Sequence, residues 1–586
     1  MTDPLSIDAP AIDAPAIDAP ANSVPTIDPR ANDGRRCDPI RRRLVGALGG
    51  ALLGTGLGGC ATSSISTRTA RAPTPGHQVE LLYVADTLEC LGPTRIVAPA
   101  TYLGPAELLG AAPWATADGV TTLVGSAGAE WADLYTPRSA ARRHTAGYGG
   151  LAAQLARLRR ELGAKSTLTL ENGQCWSGSG LGHLANGSAG VAASRLLASD
   201  ARVSSDERVL WPQRAPALYR DYARPVLGNL AAPPAGVSVA TRFERDGVQV
   251  AVVGASDPNA LDETRPLDQW YRSLAESVAK AAEGADLVVL LADTGSATAR
   301  WLAGTLPRVD LVLGARGQDF WPTLIAVDTP HGAPVPLCLP GSHASGFFHL
   351  SCRSTQSGWQ IHADFQRNDV TPDAAAAEHQ TRFDALRAPY AGWLDRPLGS
   401  APGWLWRRDS VGGSWDGLIA AALSANSDAT RALLPGLRHD TLLAPGETIT
   451  RDHLWRLSGG HPARVVDLAP DPDALKRLLE RALDSSLGLP LILNDSRDLP
   501  RLSATHWMLD YGAAAGERAH LDALPGGITW RSFSARPQAG GEPLWQRLER
   551  YLNDHGGTPP APTPPSVEAR YVEGHPGWHP QARLSV

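Results

Sequence analysis

Lysine is almost missing from this 586-residue chain. Lys165, Lys280 and Lys476 are the only three, and arginine supplies the rest of the 54 basic residues. Against 60 acidic residues the formal charge is −6, which leaves no basic excess to draw a nucleic acid. The arginine bias reads as genomic base composition, not chemistry. No Ser-His-Asp or Cys-His nucleophile pattern stands out. The glycine-rich run Gly178-Ser179-Gly180-Leu181-Gly182 has neither the lysine nor the strand-to-helix setting of a phosphate-binding loop, so it reads as a loop over a pocket. What is present is the composition of a soluble globular protein, 43% hydrophobic and 19% charged, at a length that calls for two to four domains.

The first 35 residues repeat Ile-Asp-Ala-Pro three times, from Ile7, Ile12 and Ile17, and such proline-rich sequence builds no core. Arg41-Arg42-Arg43 then leads into the apolar, glycine-rich stretch from Leu44 to Gly59. That stretch is too short and too rich in glycine to favour a membrane span, and it has the layout of a signal peptide, with twin-arginine character. It ends Leu57-Gly58-Gly59-Cys60, the pattern of a bacterial lipobox with Cys60 acylated. The alternative is a flexible N-terminus with a chance match. Acylation implies a lipid-anchored protein of the periplasm or cell envelope after cleavage of the signal peptide. Cys90, Cys175, Cys338 and Cys352 would then meet an oxidising compartment, and Cys338 and Cys352, flanking a Pro-Gly-Ser turn, are placed to bridge a hairpin.

From Val79 short apolar runs alternate with helical stretches. Leu81 to Ala85, Thr167 to Leu170, Val248 to Val253, Leu287 to Leu291 and Leu311 to Leu313 read as buried strands. Gly149 to Leu162 reads as an amphipathic helix with Leu151, Leu155, Leu158 and Leu162 on one stripe, and Asp246-Gly247 as a hairpin turn. In such α/β domains functional groups gather on the loops beyond strand ends. The organisation expected is a disordered extension and signal over 1–60, a linker over 61–78, a first domain over 79–371 and a linker over 372–381. A second domain over 382–555 and an irregular proline-rich tail from 556 to 586 follow. His575 and His579 in that tail have metal-like spacing, but the intervening prolines forbid a helix, so Trp578 reads as a docking residue.

Several blocks carry a resemblance. Leu386-Arg387-Ala388-Pro389-Tyr390 is one, and Leu405-Trp406-Arg407-Arg408 with Gly413-Ser414-Trp415-Asp416 is another. Pro435-Gly436-Leu437-Arg438 precedes Leu443-Ala444-Pro445-Gly446-Glu447-Thr448-Ile449-Thr450, and Gly540-Gly541-Glu542-Pro543-Leu544-Trp545 runs into Arg550-Tyr551-Leu552. In this order they resemble the thiosulfohydrolases (SoxB) of the periplasmic sulfur-oxidation system, a branch of the 5'-nucleotidase family. The resemblance implies an α/β (α+β) fold: a four-layer αββα sandwich of the metallophosphoesterase kind, then a 5'-nucleotidase C-terminal-type α/β domain. It also implies two manganese or zinc ions.

The residues depart from that implication. Asp86 falls on the aspartate of the family's Asp-x-His, but the histidine position is Leu88. Gly173-Gln174-Cys175-Trp176 falls on Gly-Asp-Thr-Trp, so the bridging aspartate is Gln174 while Trp176 survives. Ser205, near Asp206 and Glu207, stands where Gly-His-Trp-Glu is expected, and Ala292 takes the place of a histidine before Asp293. Gly314-Ala315-Arg316-Gly317-Gln318-Asp319 replaces Gly-Gly-His-Thr-His-Asp, which puts Arg316 and Gln318 at both imidazole positions. Two dications need a bridging anion and neutral imidazoles, whereas Arg316 brings a fixed positive charge. At ~4 Å like unit charges repel by roughly 4 kcal/mol at an effective dielectric near 20, and a dication doubles that. No metal cofactor is expected.

Other arrangements stay open. Asp86, Glu171, Glu207, Asp293 and Asp319 are carboxylates near strand ends, suited to an oxygen-only magnesium or calcium site or simply solvated. Cys90, Cys175 and Asp86 are a zinc set by ligand type alone. Arg438 and Arg316 beside Trp176 would bind sulfate, sulfonate or phosphate, unless each pairs with a neighbouring carboxylate. One functional reading is an exported, non-catalytic relative that binds an anion or a SoxYZ-like sulfur-carrier protein. The alternative is an active metal-dependent hydrolase with a rebuilt site. A third is an envelope protein that has borrowed the fold.

Overall fold

A computed structural model describes residues 62–67, 74–95, 104–105, 108, 111–114, 144–330, 332–369, 374–407, 410, 412–437, 439, 441–493, 498–522, 524, 527–534, 540–565 and 567–570. Among the described residues, fourteen strands build the first part. They are β1 (Thr62–Ser66), β2 (Gln78–Ala85), β3 (Thr167–Asn172), β4 (Ala201–Val203), β5 (Val226–Leu227), β6 (Val237–Ser238) and β7 (Ala240–Arg245). After these come β8 (Val248–Ser256), β9 (Leu287–Asp293), β10 (Leu311–Ala315), β11 (Ile325–Val327), β12 (Val335–Cys338), β13 (Gly346–Ser354) and β14 (Trp359–Arg367). They form an eight-stranded sheet in the order β1-β14-β13-β2-β3-β4-β5-β6 and a six-stranded sheet in the order β11-β12-β10-β9-β8-β7.

Alternation along β2 sets the layers. Leu81 and Tyr83 face the second sheet and join one core with Val250, Leu290 and Val312. Leu82 and Val84 face the other way, against Leu151 and Leu155 of the helix Gly147–Leu162, Ala193 of the helix Ser188–Leu197 and Phe383 of the helix Ala374–Leu394. On the far side the helices Leu267–Ala281 and Ser296–Thr305 lay Trp270, Leu274 and Leu302 on the second sheet. The result is the expected αββα sandwich. Strands β8, β9 and β10 run parallel and are covered on both faces, which is why they read as unbroken apolar runs. The Asp246-Gly247 turn joins β7 to β8 with both residues left-handed, φ 49° and 78°, as a type I′ turn requires.

A second part has its own core. Strands Val465–Leu468, Trp530–Phe533, Arg431–Leu434 and Arg501–Leu502 form a four-stranded sheet. Leu418 and Leu423 of the helix Ser414–Ser424 pack with Leu548 and Leu552 of the helix Leu544–Asp554, and Leu475, Leu479 and Leu483 of the helix Pro472–Leu487 fill a neighbouring cluster.

Several expectations need correcting. The segment 61–78 is not simply a linker, because Thr62–Ser66 pairs with β14 as an edge strand; Thr-Ser-Ser-Ile-Ser suits a half-solvated pleat. The linker 372–381 is helical from Ala374, eight residues ahead of Arg382, because a run of alanines propagates the helix. The tail from 556 onward adds a strand, Glu568–Arg570, parallel to Trp507–Asp510. Cys338 and Cys352 do not bridge a hairpin: β12 lies in the six-stranded sheet and β13 in the eight-stranded one, and both thiols are free and buried. Cys60, His575, Trp578 and His579 lie outside the described residues. Among the described residues no helix is long and apolar enough to cross a membrane.

Candidate functional site

Six of the parallel strands deliver polar residues at their carboxyl ends, on one side of the sandwich. Asp86 follows β2, Gln174 lies two residues past β3, Asp206 three past β4, Asp257 one past β8, Asp293 ends β9, and Arg316 follows β10. The loops there are tightly wound: Asp86, Leu88, Glu89, Arg316 and Gln318 all have positive φ, between 45° and 71°. Non-glycine residues adopt that conformation only where the surroundings hold them. Gly173 is left-handed as well, and a Cβ there would lie 2.0 Å from Asp86 Oδ1.

Asp86 is buried. Its Oδ1 accepts the amide of Gln174 at 3.0 Å and its Oδ2 accepts that of Gln318 at 3.0 Å. Burial raises its carboxyl to about 6, although the amides of Gln174, Arg316 and Gln318 pull the other way. The side chains above it are wired together. Gln318 Nε2 donates to Gln174 Oε1 at 3.1 Å, and Gln174 Nε2 donates to Asp206 Oδ2 at 2.6 Å. His439 Nδ1, from the second part of the chain, sits 3.4 Å from Gln318 Nε2. Burial lowers that imidazole to about 4, against the pull of Asp206.

Arg316 lies among aspartates. Its guanidinium is 2.8 Å from Asp206 Oδ1, 2.9 Å from Asp257 Oδ2 and 3.6 Å from Asp293 Oδ2. Burial alone would lower the arginine, but these three carboxylates hold it well above its ordinary value. Burial opposes ionisation of Asp206 too, yet the charge of Arg316, helped by the amide of Gln174, brings it down to about 2. Asp293, fully buried, goes the other way: burial and the neighbouring Asp206 and Asp86 raise it to about 7, despite Arg316 and the Ser205 hydroxyl. Arg208 closes one side, donating to Asp262 at 2.7 Å and to the carbonyls of Ser204 and Ser205.

Not every residue singled out from sequence belongs here. Trp176 is fully buried, gives its indole N–H to Ser194 Oγ at 2.7 Å and lies 3.6 Å beneath Arg202, so it offers no face to a ligand. Glu207 and Glu171 both turn to Arg202, at 3.2 and 3.3 Å, and are core ion pairs. Asp319 turns to Ser296 Oγ, so of the five carboxylates weighed only Asp86 and Asp293 share the pocket. Ala292 is enclosed in β9. Cys175 donates to Asn172 O at 3.2 Å, and Cys90 is aimed at Leu88 O and touched by Arg456 at 3.3 Å. Among the described residues no group of three or more histidines, cysteines or carboxylates is placed to hold a metal ion. Arg438 lies outside the described residues, beside His439.

Asp206, Asp257 and His439 were missed from sequence. Asp257 follows a strand end as Asp86 does, so the same rule finds it; Asp206 adjoins Ser205. His439 had no local signal, because only the second part's docking brings it in. That docking is close. The run Gly178 to Gly182 is no open loop: Ser179 caps the short helix Gly180–Leu184, whose first amide donates to Asp452 at 2.8 Å. Arg456 donates to Leu88 O and Glu89 O, and a Cβ on Gly460 would lie 2.6 Å from Ser179 O.

No protein-family model matches the chain, and no curated protein matches it in sequence. Solved structures do. The chain is similar to the Thermus thermophilus sulfate thiohydrolase SoxB, solved with glycerol, at 22% identity over 87% of this chain and 99% of that one, TM-score 0.73. It is similar to a 5'-nucleotidase precursor, also from Thermus thermophilus, at 15% identity over 84% and 99%, TM-score 0.62. A putative 5'-nucleotidase from Staphylococcus aureus, solved with alpha-ketoglutarate, matches at 13% identity over 84% and 100%, TM-score 0.52. At these identities the likeness is one of fold: this chain has the two-part α/β architecture of the thiohydrolase and the nucleotidases.

Proposed function

We propose that the chain is an exported, non-catalytic member of the thiosulfohydrolase branch, tethered through an acylated Cys60, which binds a sulfur-carrier protein of the SoxYZ kind in the oxidation of sulfur compounds. One observation carries the non-catalytic part. The groups at the former metal positions are already engaged, since both oxygens of Asp86 accept backbone amides, Gln174 and Gln318 bond to each other and Arg316 pairs with Asp206 and Asp257. A dimetal hydrolase leaves such groups free to clamp ions and polarise water. The residues present do not fit a metal pair: the amides are neutral, Leu88 and Ala292 donate nothing, and a guanidinium lies between the acids. No hydrolytic step through a metal follows from this pocket.

Free-anion binding at Arg316 is the weaker part of the sequence reading, because three carboxylates surround that arginine and repel an oxyanion. The carrier reading draws instead on likeness to the thiohydrolase fold and on the ordered blocks of the second part. Export draws on the sequence alone, on Arg41-Arg42-Arg43, the apolar stretch from Leu44 to Gly59 and the run Leu57-Gly58-Gly59-Cys60.

The rival reading, a hydrolase with a rebuilt site, draws on Asp86 and Asp293, whose carboxyls at about 6 and about 7 lie in the range of acid–base groups. One experiment separates the two. The protein is purified from manganese-supplemented cells, its metal content is measured, and it is tested for binding to the carrier protein and for hydrolysis of a carrier-bound thiosulfonate and of nucleotides. Saturable carrier binding without chelator-sensitive turnover is expected. Two equivalents of manganese or zinc with activity lost to chelator would overturn the proposal.

A further inference from the structure

We propose that a cleft in the second part binds a small organic anion with an apolar body, of the medium-chain carboxylate or alkyl sulfonate class. The cleft has a volume of about 380 Å3, within the range of small-molecule sites. It lies between the helix Pro472–Leu487 and the four-stranded sheet, and no residue of the pocket around Asp86 lines it. It therefore stands whether or not the chain hydrolyses anything. The helix carries two apolar stripes. Leu475, Leu479, Leu483 and Leu487 are buried in the core. Leu478 and Ala482, four apart and so on one face, are only partly buried, because that face lines the cleft. Leu433 and Leu434 line it from the sheet, and Leu468 does so while remaining 38% exposed. Small residues keep the space open: Gly436, Ala482, Ser486 and Ser532. One wall is fixed, since Gly436 O accepts the amide of Asp498 at 3.0 Å and a Cβ on Gly436 would lie 1.8 Å from Asp498 O.

The charge on the cleft decides the class of ligand. Arg481 lines it, three residues after Leu478 on the same helix, and is exposed. Among the described residues Arg481 pairs with no carboxylate, whereas its neighbours do: Arg518 meets Asp484, Arg531 meets Asp467 and Arg501 meets Asp498. Asp498, the acid in the cleft wall, is thus already held by Arg501, with both side chains at most 3% exposed. What the cleft offers is an uncompensated guanidinium beside leucine walls. Its planar fork takes a carboxylate or sulfonate bidentately. A wholly polar anion would leave those walls in water, and an uncharged hydrocarbon would leave the arginine unused. The fit is an acidic head on a short apolar body.

Isothermal titration of the full chain with octanoate tests this, with acetate as the head alone and 1-octanol as the body alone. The shift of Tm on adding each probe is a second reading. Octanoate is expected to bind once per chain, with a Kd at or below about 1 mM and a raised Tm. Acetate and octanol are each expected to bind at least about ten times more weakly. Arg481→Gln is expected to weaken octanoate about tenfold and to leave octanol unchanged. Ala482→Phe fills the cleft and is expected to abolish binding of both. Absence of saturable octanoate binding in the parent chain overturns the inference. So does octanoate binding as tight in Arg481→Gln or in Ala482→Phe as in the parent, and so does octanol binding as tight as octanoate. If Ala482→Phe does not fold, Arg481→Gln decides alone, because that side chain is exposed and its loss leaves no carboxylate without a partner. None of these outcomes bears on the non-catalytic reading, which the metal analysis tests separately.

Discussion

Two of the arginine–aspartate clusters among the described residues are built to opposite rules. In the second part Arg407 lies 2.7 Å from Asp416 Oδ1, Arg501 lies 3.4 Å from Asp416 Oδ2 and 3.4 Å from Asp498, and all these side chains are at most 3% exposed. Two cations face two anions, and Gly413 adds its amide to Asp416 Oδ2 at 3.0 Å. In the first part a single Arg316 faces Asp206, Asp257 and Asp293, with Asp86 just beyond, and the cluster opens partly to solvent. The balanced cluster has the arithmetic of a structural knot, since a buried charge is tolerated only when paired and hydrogen-bonded. The unbalanced one has more acid than its own arginine needs. Burial first, and then the neighbouring Asp206 and Asp86, raise Asp293 to about 7, while burial raises Asp86 to about 6 against the pull of three amides and Arg316.

The sharpest way to test the comparison is to break the balanced cluster. Asp416→Asn removes the carboxylate that Arg407 and Arg501 share and leaves two buried guanidinium groups without its charge. Losing one member of a buried pair costs about 3–5 kcal/mol. Denaturant unfolding should show a loss in that range, or a chain that no longer accumulates folded. A loss under about 1 kcal/mol would mean that the backbone carbonyls around Arg407 and Arg501 suffice, and the clusters would no longer differ in kind.

Which cluster was visible in advance follows from how each is assembled. The strands were legible because β8, β9 and β10 are covered on both faces and read as plain apolar runs, and the ends of β2, β9 and β10 led to Asp86, Asp293 and Arg316. The substitutions at Gln174 and Gln318 were legible because a fold likeness assigns each a place. The partners were not. The pairing of Arg316 with Asp206 spans 110 residues and that of Arg407 with Asp416 only nine, yet neither leaves a periodic trace, because ion pairs have no sequence spacing. Trp176 misled for the same reason: a tryptophan beside a strand end says nothing of whether an arginine such as Arg202 lies over it.

The unbalanced cluster should declare itself through pH. The Asp293 carboxyl is at about 7 in the folded chain, against about 3.9 for an aspartate in an unfolded one. Between those values the folded state holds a proton that the unfolded state lacks. Stability therefore falls as pH rises from about 4 to about 7, by up to ~1.4 kcal/mol per pH unit, and Asp293 adds no slope above that. Asp206, displaced down to about 2, contributes stability of the opposite kind, present above about 4 and lost as pH falls toward 2. Urea unfolding at pH 5, 6 and 7 should show Asp293→Asn losing on the order of 2 kcal/mol less than the parent chain across that interval. Parallel curves would show that Asp293 does not titrate there and that the acid excess is compensated by something other than a proton.

The smallest effect belongs to the rim of the same pocket. Arg208 meets Asp262 at 2.7 Å, but the Asp262 side chain is 39% exposed, and solvent screens such a pair. Arg208 also keeps its bonds to the carbonyls of Ser204 and Ser205 when the carboxylate is gone. Asp262→Ala should therefore cost under about 1 kcal/mol at pH 7, with little dependence on salt beyond that. The value of the measurement lies in its limit. If the loss instead approached that of Asp416→Asn, Arg208 would need its acid partner as strictly as Arg407 does. The first cluster would then hold two obligatory cations in place of one, and its charge balance would approach that of the second.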